Sequence, residues 1–310
     1  MKKISVGIIT YMRPIGLEKI LSSFKLQTLE DIELSIIVVD NDATGENQKV
    51  IDKLKNEGYP YKLDLFVETK RGIVAARNRT VSEFLKTDSE SMIFVDDDEW
   101  PVNHDWIMKM VEVEKDYNAD IVYSDVNIIP ETDEINWVQT AYKSTFGNEK
   151  SISPTKSFFT GNLLVKRAVY EKLNPPFDDR FAMTGSSDLH FCIKANNCGY
   201  KAYYTPYAPV EEIFPKSRAT FKWFFLRGYR TGEGATRANM YEGKMPSVFF
   251  YIMYLFFGRL VRTIQMFILL IFTFDKGYLA RTITYLGATI GTITGFFGLK
   301  YNEYNTIHGK

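Results

Sequence analysis

The chain has few of the residues that build redox scaffolds or zinc centres. Of its 310 residues only two are cysteine, Cys192 and Cys198, set six apart and outside any CxxC spacing, and only three are histidine. Neither a disulfide framework nor a zinc site is supported, and a reducing compartment is the expected home. Internal repeats and low-complexity stretches are absent, which excludes solenoids and fibrous architectures. The opening "MKKISVGIITYMRP" starts basic but meets Tyr11, Arg13 and Pro14 too soon for an export signal, so it reads as a first strand and chemistry in the cytosol is expected.

What is present is enough apolar surface for a large core. At 45% hydrophobic and 15% aromatic the chain accommodates one large domain plus an appendage. The formal net charge of zero hides an asymmetry: residues 1–214 hold 25 Lys or Arg against 34 Asp or Glu, a balance of −9, whereas residues 215–310 hold 13 against 4, a balance of +9. A basic tail faces an anionic partner, either a membrane surface or nucleic acid. Its Lys and Arg are interleaved with long apolar runs rather than clustered with stacking platforms, which favours the membrane and argues against nucleic acid.

Four β-branched runs alternate with helical patterns: "ISVGIIT" and "GLEKILSSFKLQ", "LSIIVVD" and "NQKVIDKLKNEG", "YKLDLFVE" and "GIVAARNRTVSEFLK", "SMIFVDD" and "DWIMKMVEVEKDY". This is the signature of an α/β fold, a Rossmann-like, mostly parallel sheet with helices on both faces. Ligands of such sheets bind beyond the carboxyl ends of the strands, which nominates Thr10 to Arg13, Asp40 to Asp42, Glu68 to Arg71 and Asp96 to Glu99 for one crevice. The expected organisation is a nucleotide-binding half over residues 1–120, an acceptor half over 121–214, and a helical region over 215–310.

In that last region helices are expected over about Thr220 to Met240, Ser247 to Phe274 and Lys276 to Leu299. The second is broken by Arg259, Arg262 and Gln265 into runs too short to span a bilayer, so an interfacial or hairpin placement is expected. Residues 282–299, "TITYLGATIGTITGFFGL", are uncharged between Arg281 and Lys300. Gly287, Gly291 and Gly295 fall on one face, as in close helix packing within membranes; the alternative is a buried hairpin against the catalytic domain. Deleting residues after about 245 is expected to release the chain from membranes with nucleotide binding intact.

The most informative stretch is "IFVDDDEWP", four consecutive carboxylates behind an apolar strand. Each raises the cost of ionising the next, so a cation or full solvation must compensate. Asp96 and Asp98 alternate at the strand end, and hard oxygens of this kind suit Mg²⁺ or Mn²⁺ shared with substrate phosphates. A helix N-terminus merely decorated with acids fits three successive aspartates poorly. In "KRGIVAARNR", Arg71 ahead of a helix N-terminus offers a fixed positive fork to a diphosphate, while Arg77 reads equally well as solvated. In "FAMTGSSDLHF", Ser186, Ser187 or Asp188 could simply cap the following helix, and His190 reads as packed or solvated.

The order "TYMRP", "VVDND", "KRGIVAARN", "FVDDDEWP", "TGN", "TGSSD" resembles the family 2 glycosyltransferases of the GT-A fold. "DDDEWPVNHDW" and "VEEIFPKSRATFKWFFLRGYRTGEG" are most similar to bacterial exopolysaccharide enzymes of the succinoglycan glucosyltransferase type. The resemblance covers about residues 4–234. It implies inverting transfer of a hexose from a nucleotide-diphosphate donor, commonly a UDP-sugar, to a lipid-linked or glycan acceptor in cell-surface polysaccharide or cell-wall synthesis, on the cytoplasmic face of the bacterial membrane, peripheral or with C-terminal transmembrane helices.

Carried onto this chain, the resemblance has Thr10, Tyr11 and Arg13 cradle the nucleotide, Asp40 read the base edge and Arg71 meet the diphosphate. Asp96 would contact ribose or sugar, Asp97 could substitute for a neighbour, and Asp98 would hold Mn²⁺ or Mg²⁺. Thr160, Gly161 and Asn162, with Trp100, would line the sugar and acceptor site. Asp188 takes the general-base position, although Ser187 stands where the family usually has a second acid. Glu212 would replace the metal-binding histidine of many relatives, and Arg218, Arg227 and Arg230 would stabilise phosphates. The QxxRW signature of processive synthases is absent, so one sugar per encounter is implied.

Three other functions compete with this reading. A nucleotidyltransferase would carry a glycine-rich loop after the first strand, and "TYMRPIG" is not one. A glycosidase needs two carboxylates flanking the scissile bond and no nucleotide site. A membrane-bound nucleotide-sugar-binding protein with degenerate catalysis is kept open by Ser187.

Overall fold

The computed structural model describes residues 1–142, 151–243 and 247–299; Lys300, named above as a flank, lies outside them. Strands and helices alternate as β1 (Lys2–Thr10), α1 (Pro14–Phe24), β2 (Ile32–Asp40), α2 (Glu46–Asn56), β3 (Lys62–Val67), α3 (Ile73–Phe84), β4 (Ser91–Asp96), β5 (Glu99–Pro101) and α4 (Trp106–Asp116). There follow β6 (Ile121–Pro130), α5 (Trp137–Tyr142), β7 (Ser153–Pro154), β8 (Leu163–Lys166), α6 (Arg167–Lys172), α7 (Ser187–Asn197) and β9 (Ala202–Phe214). Three long helices end the description: α8 (Phe221–Glu242), α9 (Ser247–Thr273) and α10 (Lys276–Phe296).

One sheet runs β3-β2-β1-β4-β8-β6-β9-β5, with β7 against β9. The first four strands in that order are parallel, β8 is antiparallel to both neighbours, and β9 is parallel to β6. Period-two alternation distributes each strand between two cores. Ile8 and Val95 face Leu21, Phe24 and Trp106 on one side, while Val39 and Phe94 face Phe84, Tyr170 and Phe191 on the other. The register sets Thr10 opposite Asp40 and Ile9 opposite Asp96, so β1, β2 and β4 stop in one line and open a crevice at their carboxyl ends.

Two features extend that crevice. β5 pairs antiparallel with β9, setting Glu99 opposite Glu212 and Trp100 opposite Glu211, so the acids behind β4 and those of "VEE" share one ribbon. The Thr220 hydroxyl then caps α8 by accepting from Trp223 N–H. Phe214 of β9 and Phe224 of α8 join Val138 of α5 and Ala280 of α10 in a third, smaller core.

The C-terminal helices depart from expectation. The glycine face of α10 is turned onto α8: added Cβ atoms at Gly287 and Gly291 would stand 2.4 Å from Phe225 O and 1.9 Å from Tyr229 O. The close packing anticipated in lipid is thus packing of α10 against α8, as in the buried-hairpin alternative. Among the described residues α9 is instead the helix long and apolar enough to cross a membrane, and few residues of its segment Val248–Thr273 are buried. At 27 residues it spans about 40 Å, against about 30 Å of hydrocarbon. Of the three residues expected to interrupt it, Arg259 turns inward and donates to the Thr292 hydroxyl of α10, while Arg262 and Gln265 stay exposed among apolar neighbours.

Candidate active site

The nucleotide-side residues meet at the ends of β1, β2 and β4. Thr10 Oγ1 donates to Asp97 Oδ2 at 2.7 Å. Arg13 Nη1 bridges Asp97 Oδ1 at 3.0 Å and Asp98 Oδ2 at 2.5 Å. Burial pulls the Arg13 guanidinium down, but Asp98 and Asp97 outweigh it and hold its pKa above the ordinary value. Buried Asp40 accepts from Asp42 N–H at 2.9 Å, and burial raises its carboxyl. Arg71 is exposed and lies over the Tyr11 ring at 5.9 Å. Its loop is tied to β2 by Asn41, which accepts from Gly72 N–H at 2.8 Å and donates to Glu68 O and Lys70 O.

The acids are crowded and desolvated. Burial, then the Asp98 charge, pushes Asp97 up to about 7 against the pull of Arg13 and Thr10. Glu212 is likewise pushed up to about 7 by burial and Asp98, against Arg218 and Arg227. Burial raises Asp96, opposed by Arg77, and lifts Glu99 well above the usual range with Asp96 adding to it. Glu99, a crevice candidate from the end of its strand without an assigned contact, is joined to the cluster by its pairing with β9. Among the described residues no three His, Cys, Asp or Glu side chains are gathered closely enough to ligate an ion alone. The donor chemistry nevertheless fits a hard divalent cation, which takes oxygen from one or two carboxylates, here Asp98 with Asp96 or Glu212, and completes its shell with phosphates and water.

The basic residues border this cluster. Arg218 Nη1 meets Glu212 Oε1 at 3.2 Å, and Arg227 lies over Trp223 at 5.3 Å. The charges of Arg227, Arg218 and Arg230 all bear on half-buried Tyr142, whose pKa desolvation raises. Arg227 and Arg218 therefore lie within electrostatic reach of the acids, through Glu212.

On the acceptor side the residues divide. Gly161 approaches Glu99 so closely that a Cβ would stand 2.6 Å from its Oε1. Thr160 Oγ1 is buried without a hydrogen-bond partner among the described residues. Asn162, expected to line the sugar site, is fully buried; its amide accepts from Trp106 Nε1 and donates to Asp125 O and Ala208 O. That side chain braces β6, β9 and α4 and offers nothing outward. One face of the Trp100 indole is covered by Lys19 Nζ, 3.0 Å from the ring centre.

Asp188 lies half-buried in the first turn of α7, and its charge reaches Asp96 and Tyr123. Neither serine caps the helix: Ser186 occupies the N-cap position without a side-chain cap bond and Ser187 Oγ accepts from Arg77 Nη1 at 3.0 Å, whereas Asp188 Oδ1 accepts from Leu189 N–H at 2.8 Å in the first turn. Arg77 is therefore not a solvated helix residue but a buried one aimed at the loop bearing Asp188. His190 is packed, bonded to Glu242 at 2.7 Å and stacked on Phe181.

Acids at the carboxyl ends of parallel strands, a second half of mixed strands and a helix bearing arginines beside the acids are the arrangement of a GT-A glycosyltransferase. The family model "Glycosyl transferase family 2" matches residues 5–173, and the chain belongs to that family. It is 26% identical over 237 residues, 74% of this chain and 73% of the relative, to the succinoglycan biosynthesis protein ExoM of Rhizobium meliloti (strain 1021). The fold is similar to that of the mannosyltransferase PcManGT from Pyrobaculum calidifontis, solved with GDP-Man and Mn²⁺ (TM-score 0.60, 17% identity, 95% of this chain and 74% of that one). It is also similar to S. aureus TarS 1-349 in complex with UDP (TM-score 0.53, 15% identity, 100% and 95%).

Proposed function

We propose that this glycosyltransferase moves one sugar per encounter, with inversion, from a nucleotide-diphosphate donor, a UDP-sugar, to a lipid-linked or polysaccharide acceptor in cell-surface glycan synthesis. It works at the cytoplasmic face of the bacterial membrane, held there by α9. The observation carrying the reading is the knot of Asp96, Asp97, Asp98, Glu99 and Glu212 at the strand ends, four of them with raised pKa values, a crowding of carboxyls that a divalent cation would relax and that suits a cation shared with a donor's diphosphate.

In this reading Thr10, Tyr11, Arg13 and Asp40 hold the nucleoside, and Arg71 meets the diphosphate. Asp98, with Asp96 or Glu212, would hold a Mn²⁺ or Mg²⁺, which when bound would supply Lewis-acid neutralisation of the departing diphosphate. Arg218, Arg227 and Arg230 take up phosphate charge. Asp188 accepts the proton of the acceptor hydroxyl, whose oxygen attacks the anomeric carbon opposite the leaving group. No covalent enzyme intermediate is needed, so the lack of a Ser/His/Asp or Cys/His constellation is no obstacle.

The test is a panel of UDP- and GDP-sugars with Mn²⁺ or Mg²⁺ and the full chain in detergent. Slow release of nucleoside diphosphate without acceptor is expected, and Asp98→Ala should abolish both ion-dependent donor affinity and turnover. An Asp98→Ala protein unchanged in both refutes the reading. Binding without turnover across the whole panel supports the degenerate alternative, which Ser187 in place of an acid favours.

A further inference from the structure

The turn Thr184–Ser187, which delivers Asp188 to the crevice, is gripped from two sides. It contains two consecutive left-handed residues, Gly185 at φ 74° and Ser186 at φ 69°. A side chain rarely adopts that conformation, so neighbours must hold the turn in shape. From α3, Arg77 donates to Ser187 as described. From α8, Arg237 Nη2 donates to Thr184 Oγ1 at 2.6 Å and to Glu233 Oε2 at 3.3 Å. Arg237 and Glu233, one helical turn apart, form an ion pair with 3% and 0% of their side chains exposed. Between them Gly234 admits Ser186 so closely that a Cβ would stand 2.0 Å from its Oγ. The Arg237 guanidinium also lies over Phe181, 5.0 Å from the ring centre, and Phe181 stacks on His190, two residues after Asp188.

A wholly buried ion pair is weak ground for stability, since apolar residues of similar volume often serve as well. What apolar residues lack is direction: a planar guanidinium fixed by a carboxylate can hold one hydroxyl in one place. We infer that Glu233 and Arg237 form a positioning pair for the general base, fixing Thr184 so that Asp188 enters the crevice aligned. The pair is too buried to meet substrate and acts only through the turn, and this inference rests on the reading of Asp188 as the base. Base alignment then depends on α8, and through α8 on the C-terminal hairpin.

The test uses the full chain in detergent and whichever sugar nucleotide of the panel above the wild-type protein hydrolyses fastest. Arg237→Gln and Thr184→Val are expected to lower kcat at least about tenfold, as small misplacements of a reacting group do, with donor KM and UDP affinity within about twofold. Thr184→Ser, which keeps the hydroxyl, should restore kcat to near the wild-type value. Thr184→Val removes one oxygen without unpairing Glu233, so the test stands even where Arg237→Gln does not fold. Wild-type kcat in Thr184→Val, or a parallel loss of kcat and UDP affinity, overturns the proposal. Asp188→Asn separates the two failures: inactive Asp188→Asn beside fully active Thr184→Val sinks the positioning pair alone, while active Asp188→Asn sinks the base assignment and this inference with it.

Discussion

A single methyl group placed on Gly291 should separate α10 from α8. Its carbon would lie 1.9 Å from Tyr229 O and 2.8 Å from Tyr229 C, about 1 Å inside the 3.0 Å that real side-chain carbons keep, and the atoms it meets are backbone that cannot rotate aside. Forcing two helices apart by such an amount costs about 3 kcal/mol, the upper end for overpacking. The gain in helix propensity from glycine to alanine returns about 1 kcal/mol. A net loss of about 2 kcal/mol is therefore expected for Gly291→Ala. Gly258 in α9 supplies the control, because a Cβ there meets nothing within 4 Å, so Gly258→Ala keeps the propensity gain without the clash. Thermal unfolding of both proteins in one detergent should separate them by roughly 3 kcal/mol. Gly291→Ala as stable as Gly258→Ala would refute the packing of these two helices.

Replacing Asp188 by Asn should lower turnover about 10²- to 10⁴-fold, the usual worth of a general base, with UDP affinity unchanged by calorimetry; coupled loss of affinity would assign it to donor binding. The raised carboxyls set a pH dependence. From the ordinary carboxylate range up to about 7, the folded chain without ligand keeps protons on Asp97 and Glu212 that the unfolded chain releases, so these groups subtract stability as pH rises. Because a cation favours the ionised forms, Mn²⁺ with UDP should raise Tm more at pH 8 than at pH 6, and the reverse order would contradict the site. Phe257, Ile264 and Ile271 lie on the exposed flank of α9, and changing all three to Ser removes roughly 2 kcal/mol of apolar transfer each. The triple variant should move from the membrane to the soluble fraction with UDP affinity intact; retention in the membrane would reassign the anchor.

The four opening βα units were legible because period-two runs and turn residues agree over the whole segment, and the crevice followed from where those strands end. The "EWP" strand was not legible. Three residues carry no period, and its pairing with Glu211 and Glu212 exists only through the long return of β9, whose Pro206 and Pro209 argue locally against a strand. The role of Arg77 turned on a partner 110 residues away, and that of Asn162 on three elements converging behind the surface. The glycine period of α10 was evident in the sequence, but periodicity names a face and not the neighbour that covers it.

The helix α8 is a party wall. One side carries the arginines beside the acids, another steadies the turn before Asp188, and its glycines Gly228 and Gly232 lie so close under α10 that added Cβ atoms would meet Thr284 O and Ala288 O at 2.0 and 2.1 Å. A chain ended near residue 245, expected from its sequence to leave the membrane with nucleotide binding intact, would also bare the glycine face of α8 that α10 covers. It strips the plaster from the wall that the chemistry leans on, and solubility is better sought by repainting α9 than by demolition.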